Sequence, residues 1–164
     1  MKRARNKSPL QKASDLPWTQ VDFTSCLQRA HCIETQILGR CRECGFSEQD
    51  LFALQLSIEE ALVNACKHGN KMDPCKQVKV QYRITTLRAD IVIEDEGGGF
   101  NPTDVPDPTA DENLDVCHGR GILLMRAYMN NVVFNPAGNK VTLTKFNESA
   151  GESGDSGTQQ WAMG

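Results

Sequence analysis

Glu60 and Asn64 lie four residues apart in the run Ile58-Glu-Glu-Ala-Leu-Val-Asn-Ala-Cys-Lys-His-Gly69. A carboxylate one helical turn before an amide can hold a water or hydroxyl and a hard metal ion side by side. On a helix advancing about 100° per residue, Glu60, Asn64, Lys67 and His68 share one polar stripe. Leu54, Ile58, Ala61, Leu62 and Ala65 gather on the core face. Gln55, Glu59 and Cys66 fall on the side expected to face solvent. Alone, the stripe is also what the edge of an ordinary amphipathic helix looks like.

A second cluster is Asp95-Glu-Gly-Gly-Gly99, at the end of an alternating apolar run. An aspartate there can accept a hydrogen bond from an amine on a flat ring. Glycines let the backbone approach that ring with no Cβ between. An ordinary turn has the same composition. The third cluster is His118-Gly-Arg-Gly121, which opens an apolar helical pattern. Backbone N–H groups and the dipole at a helix start favour anions such as phosphate. A loop that simply needs glycine would also fit.

Periodicity places these clusters on elements. A three- and four-residue recurrence of Cys26, Ala30, Ile33, Ile37 and Leu38 predicts a first helix over 23–44, ended by Gly45. Ser47 then caps a second helix, which Gly69 and Asn70 stop. Two alternating runs, 77–84 and 89–94, predict a β-hairpin. Residues 101–118 hold Pro102, Pro106, Pro108 and the acids Asp104, Asp107, Asp111, Glu112 and Asp115, with no Lys or Arg. They read as a long loop of the kind that usually has a function. A third helix over 119–129 and a hairpin of 131–134 with 140–146 complete the pattern. The order predicts an α/β two-layer sandwich, a mixed, mostly antiparallel sheet with helices on one face. It divides the chain into a basic flexible leader, 1–17, one domain, 18–146, and a Gly- and Ser-rich tail, 147–164.

Composition narrows the function classes. A length of 164 residues suits one domain with one core. The net charge of −3 gives no general case for nucleic-acid binding. No apolar run approaches the ~20 residues of a membrane span, and the basic N-terminal stretch has no apolar region behind it. The expected location is the cytoplasm. Seven irregularly spaced cysteines fit reduced thiols better than a disulfide framework. Cys41-Arg-Glu-Cys44 supplies only two ligands, too few for a tetrahedral zinc site.

The three clusters in this order, ExxxN on a helix, DxGxG at a strand end, a long loop, and GxG at a helix start, resemble the GHKL ATPases over about residues 18–146. Within them the chain is most similar to the bacterial anti-sigma-factor serine kinases of partner-switching pathways. Val92-Ile-Glu-Asp-Glu-Gly-Gly-Gly-Phe100 and Gly119-Arg-Gly-Ile-Leu-Leu-Met-Arg126 carry the likeness alongside 58–69. The resemblance implies a Bergerat-type ATP-binding fold with ATP and Mg²⁺. Glu60 would be the catalytic base and Asn64 the Mg²⁺ ligand, with Lys67 and His68 near the phosphates. Asp95 would bind the adenine amino group in a pocket shaped by Gly97 and Gly99. Residues 101–118 would form a lid over ATP, and Gly119, Arg120 and Gly121 would hold phosphates. Family members often have Gly-Thr before the last strand. Here the pair is Gly138-Asn139, so Asn139 would take the threonine's place beside adenine.

By the same resemblance, the chain would phosphorylate a Ser or Thr of a small anti-anti-sigma (STAS-type) partner and hold a sigma factor, with no membrane and no direct nucleic-acid contact. The oligomeric state, a homodimer included, stays open. One alternative is a nucleotide-dependent binding module without kinase activity. Another is a histidine-kinase-like catalytic domain, for which His31 has too little chain around it to serve as phospho-acceptor.

Overall fold

A computed structural model of the chain describes residues 16–101 and 117–150. The leader through residue 15, most of the predicted lid and the tail from 151 lie outside the described residues. The elements run β1 (Thr19–Thr24), α1 (Leu27–Glu43), α2 (Glu48–Val63), a π-helix (Asn64–Gly69), β2 (Gln77–Ile84), β3 (Arg88–Asp95), α3 (Cys117–Tyr128), β4 (Asn131–Phe134) and β5 (Lys140–Phe146).

The five strands form one sheet in the order β1-β2-β3-β5-β4. Every pairing is antiparallel, which corrects the expectation of a mixed sheet. Hairpins join β2 to β3 and β4 to β5, and neighbouring strands joined this way must run antiparallel. β1 was not foreseen, because Val21 and Phe23 are its only apolar alternations. It pairs along β2 from Thr19↔Tyr82 to Thr24↔Gln77. Phe23 therefore closes a strand, and the first helix begins at Leu27 instead of residue 23.

One sheet face is apolar. Val78, Val80 and Tyr82 on β2, Ala89, Ile91 and Ile93 on β3, and Val141 and Leu143 on β5 are buried there. They pack with Ile33, Ile37 and Cys41 of α1 and Leu54, Ile58 and Leu62 of α2. Burying each large aliphatic side chain contributes about 1.5–3 kcal/mol. The helix ends follow local chemistry. Gly45, at φ 81°, ends α1. The Gly45 N–H reaches the Arg42 carbonyl at 3.1 Å and the Phe46 N–H reaches Cys41 at 3.2 Å, the paired bonds of a Schellman stop. The Ser47 hydroxyl accepts from the Asp50 N–H at 3.0 Å and starts α2.

The ordered chain also runs past 146, where the tail was expected to begin. Asn147 is buried, and its Nδ2 donates to the Thr86 carbonyl at 2.8 Å. Beside it, Lys145 pairs with buried Asp50 at 3.1 Å and with Glu148 at 3.0 Å. These contacts tie β5 back onto the start of α2.

Candidate nucleotide site

The site is built where α2 gives way to the π-helix. A π-turn closes i→i+5 bonds, so each residue advances less than in an α-helix. The Asn70 N–H bonds to the Ala65 carbonyl at 2.8 Å in this way. The slower rotation explains two departures from the α-helical projection. Cys66, expected toward solvent, turns inward and is fully buried. Lys67 leaves the stripe and lies exposed, away from the cavity wall. Asn64, His68 and Gly69 stay on that wall. Such turns inside helices are frequent at functional sites.

The cavity measures about 410 Å³, within the range of small-molecule sites. The end of the helix contributes Asn64, His68 and Gly69 to its lining, and the end of β3 and the last hairpin contribute Asp95, Gly99 and Asn139. Ile93, Ile122, Met125, Phe134 and Val141 supply apolar walls of the kind a flat ring needs. Phe100 stands edge-on to Phe134, with ring centres 5.2 Å apart.

Asp95 ends β3. One of its carboxylate oxygens accepts from the Gly97 N–H at 2.8 Å. Burial raises its pKa above the ordinary 3.8; the Gly97 N–H and Lys76 pull it down, and Glu94 adds to the rise. The surrounding glycines have no room for a Cβ. At Gly69 it would overlap the Asp95 carboxylate, and at Gly97 it would overlap the Gly69 carbonyl. Gly99 and Gly138, at φ 71° and 73°, are pressed by backbone: a Cβ on Gly99 would overlap the Ala137 carbonyl, and one on Gly138 the Phe100 carbonyl.

Asn139 faces the same cavity, but its amide is already engaged. Nδ2 donates to the Asp95 carbonyl and Oδ1 accepts from Asn135 Nδ2, both at 2.9 Å. The Asp95 N–H in turn reaches the Asn139 carbonyl at 2.9 Å. Asn139 thus braces Asp95, where a direct contact to a ring was expected.

Glu60 is half-buried beside α3, where a Cβ on Gly121 would overlap its carboxylate. Gly121 lets α3 pass close to that group. α3 begins two residues before the predicted start, so Gly119 and Arg120 fall in its first turn. The first turn of a helix is a place where the dipole favours anions. Among the described residues, no cluster of His, Cys, Asp and Glu could cage a metal by itself. An amide such as Asn64 suits Mg²⁺, which is commonly held by one or two protein oxygens together with phosphates and water. Sequence reasoning missed Gly69, Phe100, Phe134 and Gly138 as wall residues. Gly69 carried a signal as a helix stop, and Gly138 as the turn glycine of the last hairpin.

A family profile described as a histidine kinase-like ATPase domain matches residues 27–145. The chain belongs to the histidine kinase-like ATPase family. Its matched region contains all of the residues singled out above, so it is an ATP-binding, kinase-like domain. Serine-protein kinase RsbW of Bacillus licheniformis is 30% identical over 123 residues, covering 70% of this chain and 76% of that one. The protein of the same name in Bacillus subtilis is 26% identical over 121 residues, with the same coverage. That of Listeria monocytogenes is 25% identical over 118 residues, 66% of this chain and 73% of the other. Among solved structures, the RsbU and RsbW domains of Rv1364c from Mycobacterium tuberculosis align with a TM-score of 0.48 at 15% identity, over 80% of this chain and 32% of that one. In this ATPase-family chain, no described helix is long and apolar enough to cross a membrane.

Proposed function

We propose that this chain is an Mg-ATP-dependent kinase that phosphorylates a Ser or Thr on a small anti-anti-sigma partner in the cytoplasm, and that it holds a sigma factor in the alternative state. The observation that carries the reading is one cavity lined both by Asp95, at the end of β3, and by Asn64 and His68, at the helix end. Such a cavity suits a ligand with a flat, amine-bearing ring at one end and phosphates at the other. The similarity to kinases named RsbW supports the choice of serine or threonine as acceptor.

In this reading the Asp95 carboxylate accepts from the adenine amino group, and Gly97 and Gly99 give the ring its space. Asn64 holds Mg²⁺, which when bound neutralises charge on the phosphates. His68 and the α3 start at Gly119, Arg120 and Gly121 receive the phosphate end. Glu60 takes the proton from the acceptor hydroxyl. Phosphoryl transfer needs mainly positioning and charge neutralisation, which this set can supply.

The test is phosphate transfer from labelled ATP to candidate partners encoded beside this chain's gene, with wild type and Glu60→Ala. The expected result is a labelled partner with the wild type only. ATP-dependent partner binding with no transfer by the wild type would overturn the kinase reading in favour of a nucleotide-gated binding module.

A further inference from the structure

Asn70 stands where the π-helix ends, and its place in the sequence suggests no role beyond that stop. Its side chain is 0% exposed. A buried amide brings two donor hydrogens and an acceptor oxygen, which must find partners. Nδ2 donates to the Gln77 carbonyl at 2.9 Å. Oδ1 accepts from the Glu96 N–H at 2.8 Å. Gln77 opens β2, and Glu96 is the residue after Asp95. Glu96 completes the circuit, because its Oε2 accepts from the Gln77 N–H at 2.6 Å. One amide therefore fastens three backbone segments: the helix end bearing Asn64 and His68, the start of β2, and the turn that presents Asp95.

The sheet does not set this spacing by itself. β3 is paired with β2 and β5, while the π-helix belongs to no ladder. The approach is also tight, since Gly69 and Gly97, the sequence neighbours of Asn70 and Glu96, touch with no space for a Cβ.

We propose that Asn70 is a positioning residue of the nucleotide site, fixing the separation of Asn64 and His68 from Asp95. The proposal rests on the Mg-ATP reading above. A ligand that reaches both Asp95 and the Asn64–His68 pair needs that separation, whereas one that reaches only Asp95 needs it less.

Titration calorimetry on the full chain, with Mg-ADP and with adenosine, tests this. Asn70→Ala should weaken Mg-ADP about tenfold, the scale of one lost buried hydrogen bond, and adenosine by about twofold at most. Glu96→Ala, at an exposed position, should weaken Mg-ADP in the same direction by about threefold. Asn147→Ala is the control, another buried amide bonded to backbone carbonyls but outside the cavity wall. It should lower the unfolding midpoint and leave the Mg-ADP affinity alone. Unchanged Mg-ADP affinity in folded Asn70→Ala overturns the proposal, as does equal weakening of adenosine and Mg-ADP. If Asn70→Ala does not fold, unchanged affinity in Glu96→Ala does the same. A wild type that binds no Mg-ADP overturns the nucleotide reading itself, and this proposal with it.

Discussion

Asp95 combines a buried carboxylate with a hydrogen bond from Gly97, and its chemistry depends on pH. Its folded pKa lies above the ordinary 3.8, mainly because of burial. In the window between the two values the folded chain binds the extra proton, so the empty protein loses stability as pH rises through it. Adenine binding has the opposite sign, because the ionised carboxylate is the better acceptor for the amino group. Mg-ADP affinity should fall as pH drops through the raised Asp95 value, and Asp95→Asn should flatten that dependence in a pH series of binding titrations. Asp95→Ala should cost about 1.5–3 kcal/mol of nucleotide binding, the worth of a hydrogen bond to a charged group; calorimetry with an unchanged affinity would refute the adenine contact. Asp95, Asn64 and His68 were singled out in the sequence by the order of three motifs and the resemblance they carry together, and all three line one cavity. The inward use of Asn139 was not legible there, since its partner Asn135 and the Asp95 carbonyl meet it only through the β3–β5 pairing. Cys41 of the CxxC was read from the sequence as a reduced thiol, and the structure buries it fully. Burial, and then Cys44, pushes it up to about 12, which leaves little reactive thiolate at neutral pH.

Elements with strong internal periodicity were read correctly, and those decided by neighbours were not. Both hairpins and the core face of α2 follow from alternation and helical spacing. β1 depends on the β2 edge that it pairs with, and the π-turn on where the Asn70 N–H finds its carbonyl. The junction of β5 with α2 is another product of tertiary contact. Asp50 is fully buried against Lys145. Removing one partner of a buried pair leaves the other charge uncompensated, at about 3–5 kcal/mol. Asp50→Ala should fall near the lower figure, because Glu148 still reaches Lys145, and urea unfolding would measure it. A loss below about 1 kcal/mol, the level of a surface pair, would show that the junction contributes little. For Lys145, burial alone would lower the pKa, but Glu148 and Asp50 outweigh it and the net shift is upward. The stability from that shift is present below the ordinary lysine value of 10.5 and is lost as pH rises through the raised one.

At the scale of the whole molecule, binding and transfer should separate. A general base contributes about 10²–10⁴-fold to rate but little to ground-state binding. Glu60→Ala should therefore keep Mg-ADP affinity in calorimetry while losing phosphate transfer. Asn64→Ala should lose both, because in the proposed reading that amide would hold the metal that neutralises the phosphates. A Glu60→Ala protein that transfers phosphate at the wild-type rate would remove the carboxylate from the chemistry. The strand order bears on how the molecule comes into being. Asp95 ends a strand whose other neighbour is β5, with Glu94 opposite Lys140 and Arg88 opposite Phe146. A chain growing from its N-terminus makes every residue of the Asn64–Asp95 wall long before it makes the strand that braces them. Contacts between distant segments form late. A nascent chain halted before residue 140 should therefore capture no nucleotide on the ribosome, and pull-down of stalled chains on immobilised ATP would check it.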